Sequence, residues 1–369
     1  MSWKEEIVKD FKQLVSFDSV SFHERKTADW LIERLKKMGF AVTEDNAGSF
    51  YGGDTGNIYA SYEGNSDLEP VIFCAHMDVV EPGCGKKAIE AADGKIHSDE
   101  NTVLGADDIS GILEILYGVQ LVLSSGKPHG KIEILFTIGE ELYVKGSDVF
   151  DYSKTEAKQA YVLDLSGPVG SAANRAPSII SIEAAVKGKA AHAGFEPERG
   201  IHAISVAAKA VSRLNMGHVD EETTFNIGTI TGGMATNIVP ESCTVTGEIR
   251  SYNHEKALEY VKKTEEIFAE EANKAGAKAE FVYKIHLKAY ETPEESRAVL
   301  KFKTACKKLG LPGEITSTFG GSDNNSFAKN GIEGLVLSCG MYQVHSTKEY
   351  TTKADLYNGA VLISELIFA

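Results

Sequence analysis

The most restrictive feature of this chain is a set of short apolar runs that meet ionisable residues. Val71-Ile72-Phe73-Cys74-Ala75 is continuous and stops at His76-Met77-Asp78. Residues 132–138, IEILFTI, stop at Gly139-Glu140-Glu141. Residues 161–165, YVLDL, hold Asp164 inside the run. Runs this short and this apolar suit strands buried on both faces of a sheet. Between the first two, residues 107–123 place Ile109, Ile112, Leu113, Leu116 and Val119 at helical spacing, as in a largely buried helix. Helices are also predicted over 2–17 and 24–38, and a strand over 57–62. The expectation is an α/β domain, a mixed sheet flanked by helices.

The pattern changes near residue 178. Ile180, Ile182, Ala184 and Val186 alternate with other side chains, which suits an antiparallel strand covered on one face. A helix over roughly 200–215, strands near 223–231 and 242–250, a charged helix over 254–275 and a strand over 279–286 follow. This β-α-β-β-α-β order is a small α+β, ferredoxin-like unit complete in itself. After Pro293 the chain returns to apolar helices, over 294–309 and 354–367, and short strands. The reading is therefore one domain in two pieces, 1–178 and 291–369, with a second domain, 179–290, inserted between them.

Composition narrows the function classes. The net charge of −15 over 369 residues repels phosphate, so nucleic acid is excluded as a partner. The N-terminus MSWKEEIVKDFKQLV is amphipathic and lacks the apolar core of a signal peptide. No run reaches the length of a membrane span, so the chain is expected in the cytoplasm. The five cysteines, Cys74, Cys84, Cys243, Cys306 and Cys339, form no Cys-x-x-Cys pair, which argues against disulfides and thiolate zinc.

The ionisable residues carry the chemistry. In an extended chain His76 and Asp78 point to one side, so Asp78 can hold one imidazole nitrogen while the other binds metal. A His beside an Asp is, by itself, more often a plain hydrogen bond. Asp107 and Asp108 open the buried helix; one can cap it and the other can bind. Glu140 and Glu141 repel one another, and their adjacency requires a cation or exposure. Asp164 inside an apolar strand is costly unless paired or bound to metal. His345 stands just before the last helix. Two imidazoles and several carboxylates, without thiolate, suit zinc.

These residues fall into an ordered motif set: AHMDVV (75–80), LGADD (104–108), GEE (139–141), YVLD (161–164) and VHS (344–346). Over essentially its whole length the chain resembles the di-zinc peptidases that include peptidase T, carboxypeptidase G and the aminoacylases. It is most similar to the peptidase T branch in LGADD, VKGSDVFD (144–151) and LDLSGPVG (163–170). The resemblance implies two zinc ions, with cobalt or manganese as substitutes. It implies that Asp107 bridges them, that His76 and Asp164 complete one site, and that Glu141 and His345 complete the other. Glu140 would be the general base and Asp78 would orient His76. The inserted domain would serve as lid and dimerisation domain of a homodimer. There His192 would stabilise the oxyanion, while Asn237 and Arg250 would hold the substrate carboxylate. Gly320-Gly321-Ser322-Asp323 would be a glycine-rich substrate loop, with Gly321 and Ser322 as its substrate contacts; a tight turn is the competing account.

The implied activity is release of N-terminal residues from short peptides. The same metals also serve N-acyl amino acid amidohydrolases and carboxypeptidases, which differ in pocket and lid. A non-catalytic binding protein on this fold would be expected to lack a ligand or the base, and none is missing here.

Overall fold

The computed structural model describes residues 2–368. The chain forms two compact units. The first takes the chain up to Asn174, Glu291–Ser317 and the chain from Ser322 onward; the second takes Arg175–Tyr290 and Thr318–Gly321. The sequence reading places the insert at 179–290. The short segment 318–321 joins the second unit because Thr318 N–H donates to the Arg175 carbonyl (3.0 Å) and Arg250 Nη1 donates to the Phe319 carbonyl (2.7 Å).

In the first unit, Val71–His76 pairs in parallel with Ile132–Thr137 on one side and Gln159–Leu165 on the other. Glu333–Ser338 continues the parallel run. Ile58–Tyr62 and Ala41–Glu44 extend the opposite edge in antiparallel register. The sheet is mixed, as expected. Every residue of Val71–His76 and Ile132–Thr137 is buried. Buried Glu133 is tolerated because it accepts from Tyr59 Oη (2.8 Å) and from the N–H groups of Glu156 (2.9 Å) and Ala157 (3.0 Å).

The Ala106–Ser125 helix is buried along most of its length and packs on Lys353–Phe368. Gly118 permits that approach: a Cβ there would stand 2.7 Å from the Ala360 carbonyl. The sequence reading finds no run of membrane-span length, but the helix Ala106–Ser125 does have the length and apolarity of one; its apolar surface is instead buried as the central core helix of this unit. Each Leu or Ile it buries contributes about 1.5–3 kcal/mol.

The second unit is an antiparallel sheet in the order Gly217–His218, Thr223–Gly232, Ser242–Ser251, Ser178–Lys187, Lys278–Leu287. Without the first short strand this is the ferredoxin-like order. Ala203–Val211 and His254–Ala275 cover one face, over Ile180, Ile182, Ala184 and Val186. The first of these helices is shorter than the predicted 200–215, because His202 Nδ1 caps it by accepting from Ser205 N–H (3.2 Å). Ser296 likewise caps Arg297–Leu309, so that helix begins later than 294.

Candidate metal centre

In a parallel sheet the C-terminal strand ends share one edge, and ligands gather where neighbouring connections run to opposite sides. Val71–His76 is such a point. His76 closes its strand, Gly139-Glu140-Glu141 follows the next, and Asp164 stands near the end of the third.

His76 is 1% exposed. Its Nδ1 lies 3.0 Å from the Asp78 carbonyl and 3.4 Å from Asp78 Oδ1. A carbonyl only accepts, so Nδ1 carries the proton and Nε2 is left to face Asp107 Oδ1 at 2.9 Å and Asp164 Oδ1 at 3.9 Å. Asp78 does more than orient this ring. Its carboxylate accepts from Glu140 N–H (2.9 Å), Glu141 N–H (3.2 Å) and Ser21 Oγ (2.6 Å), and so shapes the turn that carries both glutamates. Burial opposes the Asp78 charge, but His76 and these donors hold its carboxyl below the usual range.

Asp107 stands between the two imidazoles. Oδ1 faces His76 and Oδ2 lies 3.4 Å from His345 Nε2. Its backbone and that of Asp108 are not helical, so the regular helix begins after the pair rather than at 107. The Asp107–Asp108 peptide is cis. Glu141 Oε1 lies 3.0 Å from His345 Nε2. One set of donor atoms, on His76, Asp107 and Glu141, fits within 4.8 Å; a second, on His76, Glu140 and Asp164, does likewise. Glu140 thus stands within reach of the cluster that it would serve as base.

Charge makes the case for a cation. Burial pushes the carboxyls of Glu140, Glu141 and Asp164 upward; Asp164 adds to the effect on Glu140, and Asp107 to that on Glu141 and Asp164. Like carboxylates this close and this buried are stabilised by a bound cation. The donor set is nitrogen and oxygen. The nearby thiols do not join it: burial raises both Cys74 and Cys339, and they donate weakly to Asp323 (3.5 Å) and Asp108 (3.8 Å). The residues fit zinc, cobalt or manganese.

His345 is half exposed, and hydrogen bonds to Asp107 and Glu141 push its pKa up to about 10. Without metal its imidazole is protonated at neutral pH. That pairing stabilises the folded state fully below about 6.5 and is lost as pH rises through about 10. A ligating imidazole must be unprotonated. Adding zinc at pH 7 is therefore expected to release protons, with apparent affinity rising as pH rises. Calorimetry in buffers of different ionisation heat measures this; a heat independent of buffer would show that no proton leaves.

Backbone strain gathers here too. Among the described residues, Tyr143 (φ 69°), Val144 (φ 50°), Gln343 (φ 51°) and His345 (φ 58°) are non-glycine residues at positive φ, on the two loops that carry Glu141 and His345. Such residues persist where function requires the geometry.

Two further acidic residues stand around the cluster; Glu24 has no signal in the sequence, whereas Asp323 closes the glycine-rich motif Gly320-Gly321-Ser322-Asp323. Glu24 accepts from Gly139 N–H at 3.0 Å. Asp323 is buried and accepts from Thr137 Oγ1 at 2.5 Å beneath the GEE turn. Ser322 is buried as well; its Oγ accepts from Asn324 N–H (3.3 Å) and its N–H donates to Asn325 Oδ1 (3.1 Å), so it serves a turn. Gly321 belongs to the second unit, where a Cβ would stand 2.0 Å from Leu287 Cδ1.

Also in the second unit, exposed His192 accepts at Nδ1 from Gly194 N–H (3.1 Å) and Phe195 N–H (3.2 Å), and its ring stacks on Phe195. The proton of the neutral ring is therefore on Nε2. Asn237 is its neighbour, with its carbonyl accepting from Ala193 N–H at 3.0 Å. Arg250 donates from Nε to Glu248 (2.6 Å) and from Nη1 to the Phe319 carbonyl (2.7 Å).

Comparison with known proteins is consistent across sequence and structure. A family model described as the peptidase dimerisation domain matches residues 176–276, and one described as peptidase family M28 matches residues 57–220. The solved aminopeptidase PepT of Bacillus cereus is 34% identical, with a TM-score of 0.93 over 99% of this chain and 98% of that one. A solved tripeptidase of Staphylococcus aureus is 32% identical, with a TM-score of 0.96 over 99% and 97%. Peptidase T of Geobacillus kaustophilus is 26% identical over 92% of this chain and 90% of its own length.

Proposed function

The chain belongs to the peptidase T family of metallopeptidases, and from that premise we propose that it releases N-terminal residues from short peptides with two zinc ions. The observation that carries this reading is Asp107, set between His76 and His345 with Glu140 buried beside them. His76, Asp107 and Asp164 would hold one ion; Asp107, Glu141 and His345 would hold the other. When bound, the metals polarise the scissile carbonyl and make water a nucleophile near neutral pH.

The remaining work falls to the chain itself. Glu140 takes a proton from the attacking water at its carboxylate and returns it to the leaving amine. The buried environment that raises its pKa suits a group that must hold a proton briefly. Asp78 fixes the His76 tautomer and the position of the Glu140 backbone. His192, with its proton on Nε2, donates to the oxyanion of the tetrahedral intermediate. Asn237 and Arg250 bind the peptide carboxylate, for which a guanidinium fork is suited. The segment matching a dimerisation domain supports a homodimer formed through the second unit. Five unpaired cysteines support a reducing, cytoplasmic location.

A cleavage panel tests the substrate class. Tripeptides with a free N-terminus are expected to be cut to an amino acid and a dipeptide, with N-acyl amino acids left intact. Cleavage of acyl amino acids alone would instead assign an amidohydrolase.

A further inference from the structure

We propose that Glu349 is a positioning residue of the metal centre, holding the backbone of Asp107 from the same loop that carries His345. The inference rests on the metal-centre reading and adds to it a residue that no sequence motif marked.

Glu349 is 1% exposed. Its Oε2 accepts from Leu104 N–H (2.7 Å) and Gly105 N–H (2.8 Å), and its Oε1 accepts from Asp107 N–H (2.9 Å). One carboxylate thus gathers three backbone donors from the turn that delivers the shared ligand. That turn needs an external acceptor. Leu104, Gly105 and Asp107 are buried and precede the regular helix, so their N–H groups lie outside its hydrogen-bond ladder and require an acceptor from elsewhere. The acceptor comes instead from a residue 242 positions further along the chain.

The loop that supplies it is closed on itself. Tyr342 and Tyr350 each donate N–H to the other's carbonyl, at 2.9 and 3.0 Å, and their rings stack at 4.8 Å. Glu349 N–H donates to the Ser346 carbonyl at 3.1 Å. His345 and Glu349 are therefore parts of one closed loop. Asp107 is held at two levels by it: His345 Nε2 faces the side-chain Oδ2, and Glu349 holds the backbone N–H. Only a carboxylate does this well. It presents acceptors on both oxygens, whereas a glutamine amide would turn an NH2 donor toward at least one N–H donor.

The test compares Glu349→Gln with Glu133→Gln in the full chain. Glu133 is a control of the same type, a buried carboxylate accepting two backbone N–H groups and a hydroxyl in the same unit, without a hydrogen bond to any of the proposed ligands. Zinc affinity is read by competition with a chromophoric chelator, and folding by thermal unfolding of the metal-free protein. Glu349→Gln is expected to weaken zinc binding about 10–100-fold, the usual effect of losing a group behind a ligand. Glu133→Gln is expected to lower the unfolding midpoint with zinc affinity unchanged. Should Glu349→Gln not fold, Glu349→Asp, which keeps both oxygens at shorter reach, is judged by the same criterion. Parent-like zinc affinity in the folded Glu349 variant overturns the proposal, as does an equal weakening in Glu133→Gln. A parent chain that binds no zinc overturns the metal-centre reading itself.

Discussion

Glu140→Ala is expected to retain bound metal and to lose roughly 10²–10⁴-fold in kcat, the range that a positioned general base supplies. The reason lies in how the GEE turn divides its two carboxylates. Glu141 is drawn to His345, 3.0 Å away, while Glu140 is turned to the His76 and Asp164 side of the cluster. Their backbone N–H groups are both held by Asp78, so removing the Glu140 side chain leaves the turn anchored. The loss should therefore fall on kcat, with KM changing little. Metal content by elemental analysis and steady-state kinetics on a tripeptide give the two halves of the result. A variant with full metal and parental kcat would remove Glu140 from the role of base. A variant that loses metal would make it a ligand, a reading that its place beside His76 and Asp164 leaves open to measurement.

Asp107→Ala is expected to have the larger effect, because it touches both halves of the centre. Among the described residues, Asp107 is the one carboxylate whose two oxygens face two different imidazoles. Burial disfavours its charge, yet His345 and His76 hold its carboxyl well below the usual range. Removing a shared ligand takes a donor from both metal sites at once, and removing one partner of a buried ion pair also costs about 3–5 kcal/mol of folding stability. Both metal equivalents should weaken together, and turnover should become undetectable. Stoichiometric zinc in the variant would dismiss Asp107 as a shared ligand. Loss of one equivalent with the other intact would assign Asp107 to a single site.

Much of the scaffold around these residues was legible in sequence because burial leaves a plain mark. Val71–Ala75 and IEILFTI read as strands because both faces of a covered sheet are apolar. The second unit announced itself by Ile180, Ile182, Ala184 and Val186 alternating along one strand. Capping was harder to read. His202 and Ser296 start their helices through hydrogen bonds to backbone N–H groups, and a hydropathy pattern does not register them. Asp107 and Asp108 read as helix because they precede a strongly helical run; their actual backbone is set by what their side chains and N–H groups meet.

The candidate site divides in the same way. The residue types and their order, His76, Asp107, Glu140, Glu141, Asp164 and His345, are properties of the sequence, since ligand chemistry depends on which donors exist. Their convergence belongs to the tertiary structure. Asp107 meets His345, 238 residues away in sequence (345 − 107), only because the last segment folds back beside the first. Two supports are invisible until then: Glu24 under Gly139 and Glu349 on Asp107 are single acidic residues in unremarkable contexts, while Asp323 under Thr137 was marked only as the end of the glycine-rich loop. Sequence determined which atoms can bind a metal, because that depends on side-chain chemistry alone. Only the folded chain decided which buried N–H groups need an acceptor and which distant carboxylate supplies it, because hydrogen bonding depends on distances that no spacing along the chain encodes.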